Sequence, residues 1–194
     1  MIPGVILAGG LARRMGGGDK SLRVLGGRTI LSHVIDRLAP QVSDMALNAN
    51  GDAARFAPYG LPVLPDPVGE FPGPLAGVLA GLDWAAERGT DAIVTVAADT
   101  PFFPGTLAAD LQAAARAERQ PIALAATDGR HPTFGLWPTS LREDLRAALR
   151  DGVRKVVQWT DAHGAATATF AAEPFDPFFN INTPEDLTRA EALL

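Results

Sequence analysis

The chain has 194 residues, 47% of them apolar and 20% charged, which gives enough material for a sizeable core and argues against disorder. It contains no cysteine, so a disulfide framework, thiol catalysis and Cys-ligated zinc are excluded. The net charge of -5 argues against bulk affinity for nucleic acid and leaves an anionic small molecule only a local positive site to bind.

The first apolar run, Val5 to Ala8, reads as a buried strand. It breaks at Gly9-Gly10 into a loop carrying Arg13, Arg14, the glycines Gly16 to Gly18 and Lys20. Glycines let backbone N–H groups approach phosphate oxygens and the cations offset their charge, so this strand and loop suit a polyphosphate. A solvated surface loop is the alternative. The Walker A pattern is absent because Asp19, not glycine, precedes Lys20-Ser21, and no G-x-G-x-x-G spacing occurs. A strand this close to Met1 leaves no room for a signal peptide, and no apolar run approaches the ~20 residues of a membrane span, so a cytoplasmic protein is expected.

Beyond the loop, Ile30, Leu31, Val34, Ile35 and Leu38 share one face of a helix expected over Thr29 to Leu38, with Pro40 as its stop. Met45 to Leu47 reads as a strand ending in Asn48-Ala49-Asn50, a brief helix is expected within Gly51 to Tyr59, and Leu61 to Leu64 is a strand whose prolines suggest an edge. Asp66 follows it directly. Pro67 to Gly73 is too rich in proline and glycine to be regular, whereas Pro74 suits the first turn of a helix running to Glu87. Ala92 to Ala98 is the clearest buried strand and ends on Asp99-Thr100-Pro101.

A helix from Pro104 to Glu118, a strand from Ile122 to Ala126, a turn at Asp128-Gly129-Arg130 and a strand from His131 to Leu136 are expected next. Ser140 and Glu143 have the spacing of a capping box for a helix over Leu141 to Leu149. Val153 to Thr160 reads as helix, Thr167 to Phe170 as strand, and Thr183-Pro184 as the N-cap and first residue of a terminal helix. Strands alternating with helices predict an α/β fold in a single domain over 1–194, Rossmann-like, with a mostly parallel sheet and helices on both faces.

Lys20, Asn48, Asp66 and Asp99 each lie where an apolar strand run ends, and ligands of open parallel sheets bind beyond the carboxyl ends of the strands. Taken singly, Asn48 and Asn50 also suit a turn, Asp66 a turn before Pro67, and Asp99 either a metal or a helix N-cap. His131 and His163 have no partner at zinc-ligand spacing, and His33, beside Val34, reads as a structural histidine.

The loop from Leu7 to Lys20, L-A-G-G-x-A-x-R-M-G-x-x-D-K, resembles the signature of the nucleotidyltransferases that activate sugar phosphates, isoprenoid precursors and pterins. Leu7-Ala8-Gly9-Gly10 with Asp19-Lys20 is most similar to the molybdenum cofactor guanylyltransferases. So are the Asn48-Ala49-Asn50 segment, Asp66, the F-P-G-P-L-A-G stretch from Phe71 to Gly77, Asp99-Thr100-Pro101 and F-N-I-N-T-P-E-D from Phe179 to Asp186. The run Gly16-Gly17-Gly18 is looser than the single or double glycine of some relatives.

The resemblance implies a fold of the nucleotide-diphospho-sugar transferase type. It implies that Leu7, Ala8 and Gly9 contact a nucleotide through their backbone, that Lys20 meets its phosphates, that Asn48 and Asp66 meet other parts of it, and that Asp99 binds Mg2+. Lys20 and Asp99 would be the catalytic pair, with Asn180 and Asn182 completing the metal or acceptor site. The implied reaction transfers GMP from GTP to the terminal phosphate of the molybdenum-bearing pterin, releasing pyrophosphate. The implied partners are GTP and the molybdopterin cofactor, with transient contact with molybdoenzymes or cofactor-insertion proteins, no nucleic acid, no membrane and a monomeric state. A cytidylyltransferase on the same pterin, another small-molecule nucleotidyltransferase, or a regulatory nucleotide-binding module are the alternatives.

Overall fold

The computed structural model describes residues 1–9, 19–68 and 73–194. Its centre is a sheet whose strands, in chain order, are β1 (Gly4–Leu7), β4 (Met45–Asn48), β5 (Val63–Leu64), β6 (Ala92–Ala97), β7 (Ile122–Ala126), β8 (Arg130–Pro138) and β9 (Ala165–Thr169). A separate antiparallel hairpin pairs β2 (Val24–Leu25) with β3 (Arg28–Thr29). In space the seven strands run β5-β4-β1-β6-β8-β7-β9. All are parallel except β8, which is antiparallel to both β6 and β7.

Side chains alternate across a strand, so one strand feeds two cores. From β1, Ile6 joins Leu31, Val34 and Leu38 of α1 (Ile30–Leu38) and Leu107 and Leu111 of α3 (Leu107–Glu118). Val5 and Leu7 face the other way, onto Leu75, Val78, Leu79 and Leu82 of α2 (Pro74–Ala86). The same layer takes Leu145 and Leu149 of α4 (Arg142–Arg150) and Trp159 of α5 (Val156–His163). Each large apolar side chain buried this way contributes about 1.5–3 kcal/mol. The expected α/β architecture, with helices on both faces of a mostly parallel sheet, is what forms. Among the described residues no helix is long and apolar enough to cross a membrane.

Several boundaries differ from the sequence reading. The hairpin at 24–29 was not expected, although Gly26 and Gly27 supply the positive φ values of 56° and 83° that a two-residue turn requires. Helix α3 starts at Leu107 rather than Pro104, and β9 spans Ala165–Thr169 rather than Thr167 to Phe170. The capping box at Ser140 does not form. Residues Thr139–Leu141 make a 3₁₀ turn, so α4 begins at Arg142 with no side-chain cap, and Glu143 instead accepts from Arg142 at 3.0 Å and Arg146 at 3.1 Å. A capping box does form at α6 (Pro184–Glu191), where the Thr183 side chain accepts from the Asp186 N–H and the Asp186 carboxylate from the Thr183 N–H. That helix packs with the hairpin through Leu25, Ile30, Phe102, Ile181 and Ala190, a small third core at one corner of the sheet.

Candidate active site

Three central strands end level with one another. Leu7 is in register with Asn48 on one side and Ala97 on the other, and pairing continues one residue further: the Ala8 N–H donates to Asn48 O at 2.8 Å and the Ala98 N–H to Leu7 O at 3.1 Å. The residues just past this line open onto a cleft of about 500 Å³. All seven positions expected from the sequence line it: Leu7, Ala8, Gly9, Lys20, Asn48, Asp66 and Asp99. Arg13, Arg14, Gly10, Gly16 to Gly18, Phe71 and Pro72 lie outside the described residues.

One wall is a closed amide and carboxylate network. Asn48, only 3% exposed, donates through Nδ2 to Leu64 O at 3.0 Å and to Asp66 Oδ1 at 2.9 Å. Asn50 donates to Asp66 Oδ2 at 2.7 Å, and its Oδ1 accepts the Asp66 N–H at 2.9 Å. These bonds tie the end of β4 to the end of β5, so Asn48 is a strand-end ligand of Asp66 and not a turn former. Helix α2 can approach this wall because residue 77 is glycine: a Cβ there would lie 2.2 Å from Asn48 Oδ1 and 2.9 Å from Leu7 Cδ2.

Lys20 and Asp99 form the opposite wall together with the segment before α6. The Lys20 ammonium donates to Asn182 Oδ1 at 2.7 Å, and the Ile181 N–H donates to Asp99 O at 2.9 Å. Thr100, fully buried, directs its hydroxyl at Asn180 Oδ1, with Asp99 Oδ1 further away at 3.3 Å. Asn180 and Asn182 therefore hold Thr100 and Lys20. The Asn182 N–H in turn donates to Asp186 Oδ2 at 3.0 Å, so the α6 capping box anchors this wall. Asp99 caps no helix, because α3 begins at Leu107. Burial pushes the Asp99 carboxyl above its ordinary range, while Lys20 and the Thr100 hydroxyl pull it back.

Some lining residues were not foreseen. Thr133 reaches the cleft from β8, whose backbone there is fixed by a buried relay: Trp137 Nε1 donates to Thr95 Oγ1 at 2.8 Å and Thr95 Oγ1 to Thr133 O at 2.9 Å. Arg55 comes from a 3₁₀ segment, Ala53–Tyr59, and pairs with Asp19. Only the Asn50-Gly51-Asp52 turn, which brings Arg55 back toward the cleft, could have signalled it in the sequence. The histidines are structural: His33 Nε2 bonds Leu25 O at 2.9 Å, His131 stacks on Phe178 with ring centroids 4.3 Å apart, and His163 Nε2 pairs with Asp144 at 2.8 Å.

The MobA-like NTP transferase domain matches residues 4–166. The chain is 59% identical to a molybdenum cofactor guanylyltransferase of Bradyrhizobium sp., over 99% of this chain and 92% of the relative. It is 55% identical to one of Rhodopseudomonas palustris, over 98% and 93%. The crystal structure of molybdopterin-guanine dinucleotide biosynthesis protein A from Archaeoglobus fulgidus has the same fold, with a TM-score of 0.76 at 23% identity over 99% of this chain and 98% of that one.

Proposed function

Because the chain belongs to the MobA-like NTP transferase family, we propose that it works as a guanylyltransferase on the molybdenum cofactor, moving GMP from GTP to the terminal phosphate of the pterin with release of pyrophosphate. The observation that carries this reading is the meeting of Lys20, Asn48, Asp66 and Asp99 on one cleft at the strand ends. The names of its relatives supply the guanylyl group and the molybdenum cofactor.

In this reading Leu7, Ala8 and Gly9 receive the nucleotide along their backbone, and the Asn48 and Asp66 wall holds its non-phosphate part. The attacking phosphate is already ionised at neutral pH, so the reaction calls for charge neutralisation and alignment rather than a strong base. Lys20 has three N–H donors; one goes to Asn182, which fixes the ammonium and leaves two for phosphate oxygens.

The donors at Asp99 fit Mg2+. Magnesium is characteristically held by one or two carboxylates with substrate phosphates and water, and the Asp99 carboxylate lines the cleft together with Lys20. A carboxylate that burial discourages from ionising gains most from a cation beside it. Bound at Asp99, the ion would supply Lewis-acid stabilisation of the phosphates, worth several kcal/mol in the transition state. The proposal includes a cytoplasmic monomer that passes its product to cofactor-inserting proteins or molybdoenzymes.

The test is pyrophosphate release by the purified chain with magnesium and the pterin cofactor, comparing GTP, CTP and ATP. Release with GTP alone is expected. Release with CTP alone would move the assignment to the cytidylyl reaction, and binding without release for all three would favour a regulatory module.

A further inference from the structure

Three carboxylates line a cleft meant for a polyanion: Asp19, Asp66 and Asp99. Asp66 accepts from two amides, and Asp99 faces Lys20 and the proposed cation. Asp19 has a different partner. The Nε of Arg55 donates to its Oδ2, with side-chain exposures of 19% for Asp19 and 28% for Arg55.

That guanidinium is held on several sides. Nη2 donates to Asn50 O at 2.7 Å, Nη1 donates to Asp52 O, and the group sits 4.4 Å from the ring centroid of Phe56, itself 1% exposed. A planar fork fixed to backbone carbonyls and an aromatic face is a rigid anchor, which a lysine could not reproduce. It joins the Asn50-Asp52 turn, part of the wall carrying Asn48 and Asp66, to the residue immediately before Lys20. Among the described residues Arg55 is the cation that pairs with Asp19, and without it the Asp19 carboxylate would repel a triphosphate in the cleft.

We propose that Arg55 is a positioning residue for the nucleotide, neutralising Asp19 and pinning it to the 50–52 turn so that the cleft beside Lys20 accepts a triphosphate. The inference rests on the nucleotide-transfer reading above. It assigns Arg55 an effect on nucleotide affinity through Asp19, with little effect on the chemical step.

The experiment is calorimetric titration of magnesium-GTP into the full chain and four variants: Arg55→Ala, Arg55→Lys, Asp19→Asn and the Arg55→Ala/Asp19→Asn pair. Arg55→Ala is expected to weaken GTP binding on the order of tenfold, by a margin that narrows as salt is raised. Arg55→Lys, which keeps the charge, should lose less. The double variant should bind about as well as Asp19→Asn alone, because the charge that Arg55 neutralises is gone. In pyrophosphate release at saturating GTP, kcat should change by less than about threefold while KM follows the binding loss. Unchanged binding in Arg55→Ala, or losses that simply multiply in the double variant, would overturn the inference. Should Arg55→Ala melt before binding can be measured, Arg55→Lys and the double variant carry the same comparison. A wild-type chain that binds no triphosphate would overturn the nucleotide reading and this inference together, whereas normal wild-type binding with insensitive Arg55 variants overturns the inference alone.

Discussion

The two halves of the sheet put opposite materials at the same edge. In the β5-β4-β1-β6 half every strand runs the same way, so each apolar run delivers its last residues, Leu7 to Gly9, Asn48, Asp66 and Asp99, to the cleft. In the β8-β7-β9 half, β8 runs backward and buries its end, with Trp137 fully covered and Pro138 paired to Ala92 at the start of β6. That half lends the cleft Thr133 and otherwise packs aromatic side chains: Phe178 contacts His131, Phe134 and Phe170 at centroid distances of 4.3, 4.9 and 5.4 Å. Strand direction thus separates a polar, ligand-facing half from a packed, supporting one. The segment from Phe178 to Asn182 joins them, burying Phe178 in the aromatic cluster and tethering Thr100 and Lys20 through its asparagines.

Variants in the two halves should therefore fail differently. The largest effect is expected for Asp99→Asn, with turnover falling about 10²–10³-fold. Its folded-state pKa lies above the unfolded one, so the ionised carboxylate opposes folding as pH rises through that window. The neutral isostere should melt no lower than wild type near neutral pH without ligand, and a large drop in melting temperature would contradict this. For the same reason the acid limb of the activity profile should lie above the ordinary carboxylate range and move down as magnesium is raised.

Leu124→Ala, in β7, should do the reverse, removing about 2–5 kcal/mol of stability while the folded fraction keeps its kcat, as paired denaturation and rate measurements can show. A loss of kcat at full folding would break the separation between the halves. Asn48→Ala belongs to the first half and should raise KM for the nucleotide about tenfold in initial-rate kinetics, since it frees Asp66 and leaves Leu64 O without its side-chain donor.

The smallest effect is expected at His131. Burial holds its imidazole below the ordinary value, with Asp176 pulling the other way. The folded protein then binds fewer protons than the unfolded one, so stability is complete above an unfolded pKa of about 6.5 and declines as pH falls below it. Melting temperature should drop slightly over that range, and His131→Gln should flatten the slope.

Much of the first half was legible because its signals are local. Apolar runs such as Met45 to Leu47 and Ala92 to Ala98 stop at polar residues, Asn48 and Asp99, and a parallel sheet brings such stops to one edge. The physical role of Gly77 was hidden in its motif, since only the packing of α2 shows that a Cβ would strike Asn48. Arg55 was illegible for a similar reason: it lies in an irregular segment and meets Asp19 across 36 residues of sequence. Asn180 and Asn182 were visible as polar residues near a helix start, but their bonds to Thr100 and Lys20 span 80 and 162 residues. The reversed β8 was foreseeable in principle, as Asp128-Gly129 is a turn signal, but the period of a strand carries no direction.

Amide hydrogen exchange of the wild-type chain, with and without magnesium-GTP, tests most directly where the nucleotide sits. The account predicts that GTP slows exchange at residues 5–9, 48–50 and 97–100, the strand ends of the parallel half, and leaves β7 and β9 unchanged. Protection confined to β7, β8 and β9, with the strand ends of β1, β4 and β6 unaffected, would contradict it.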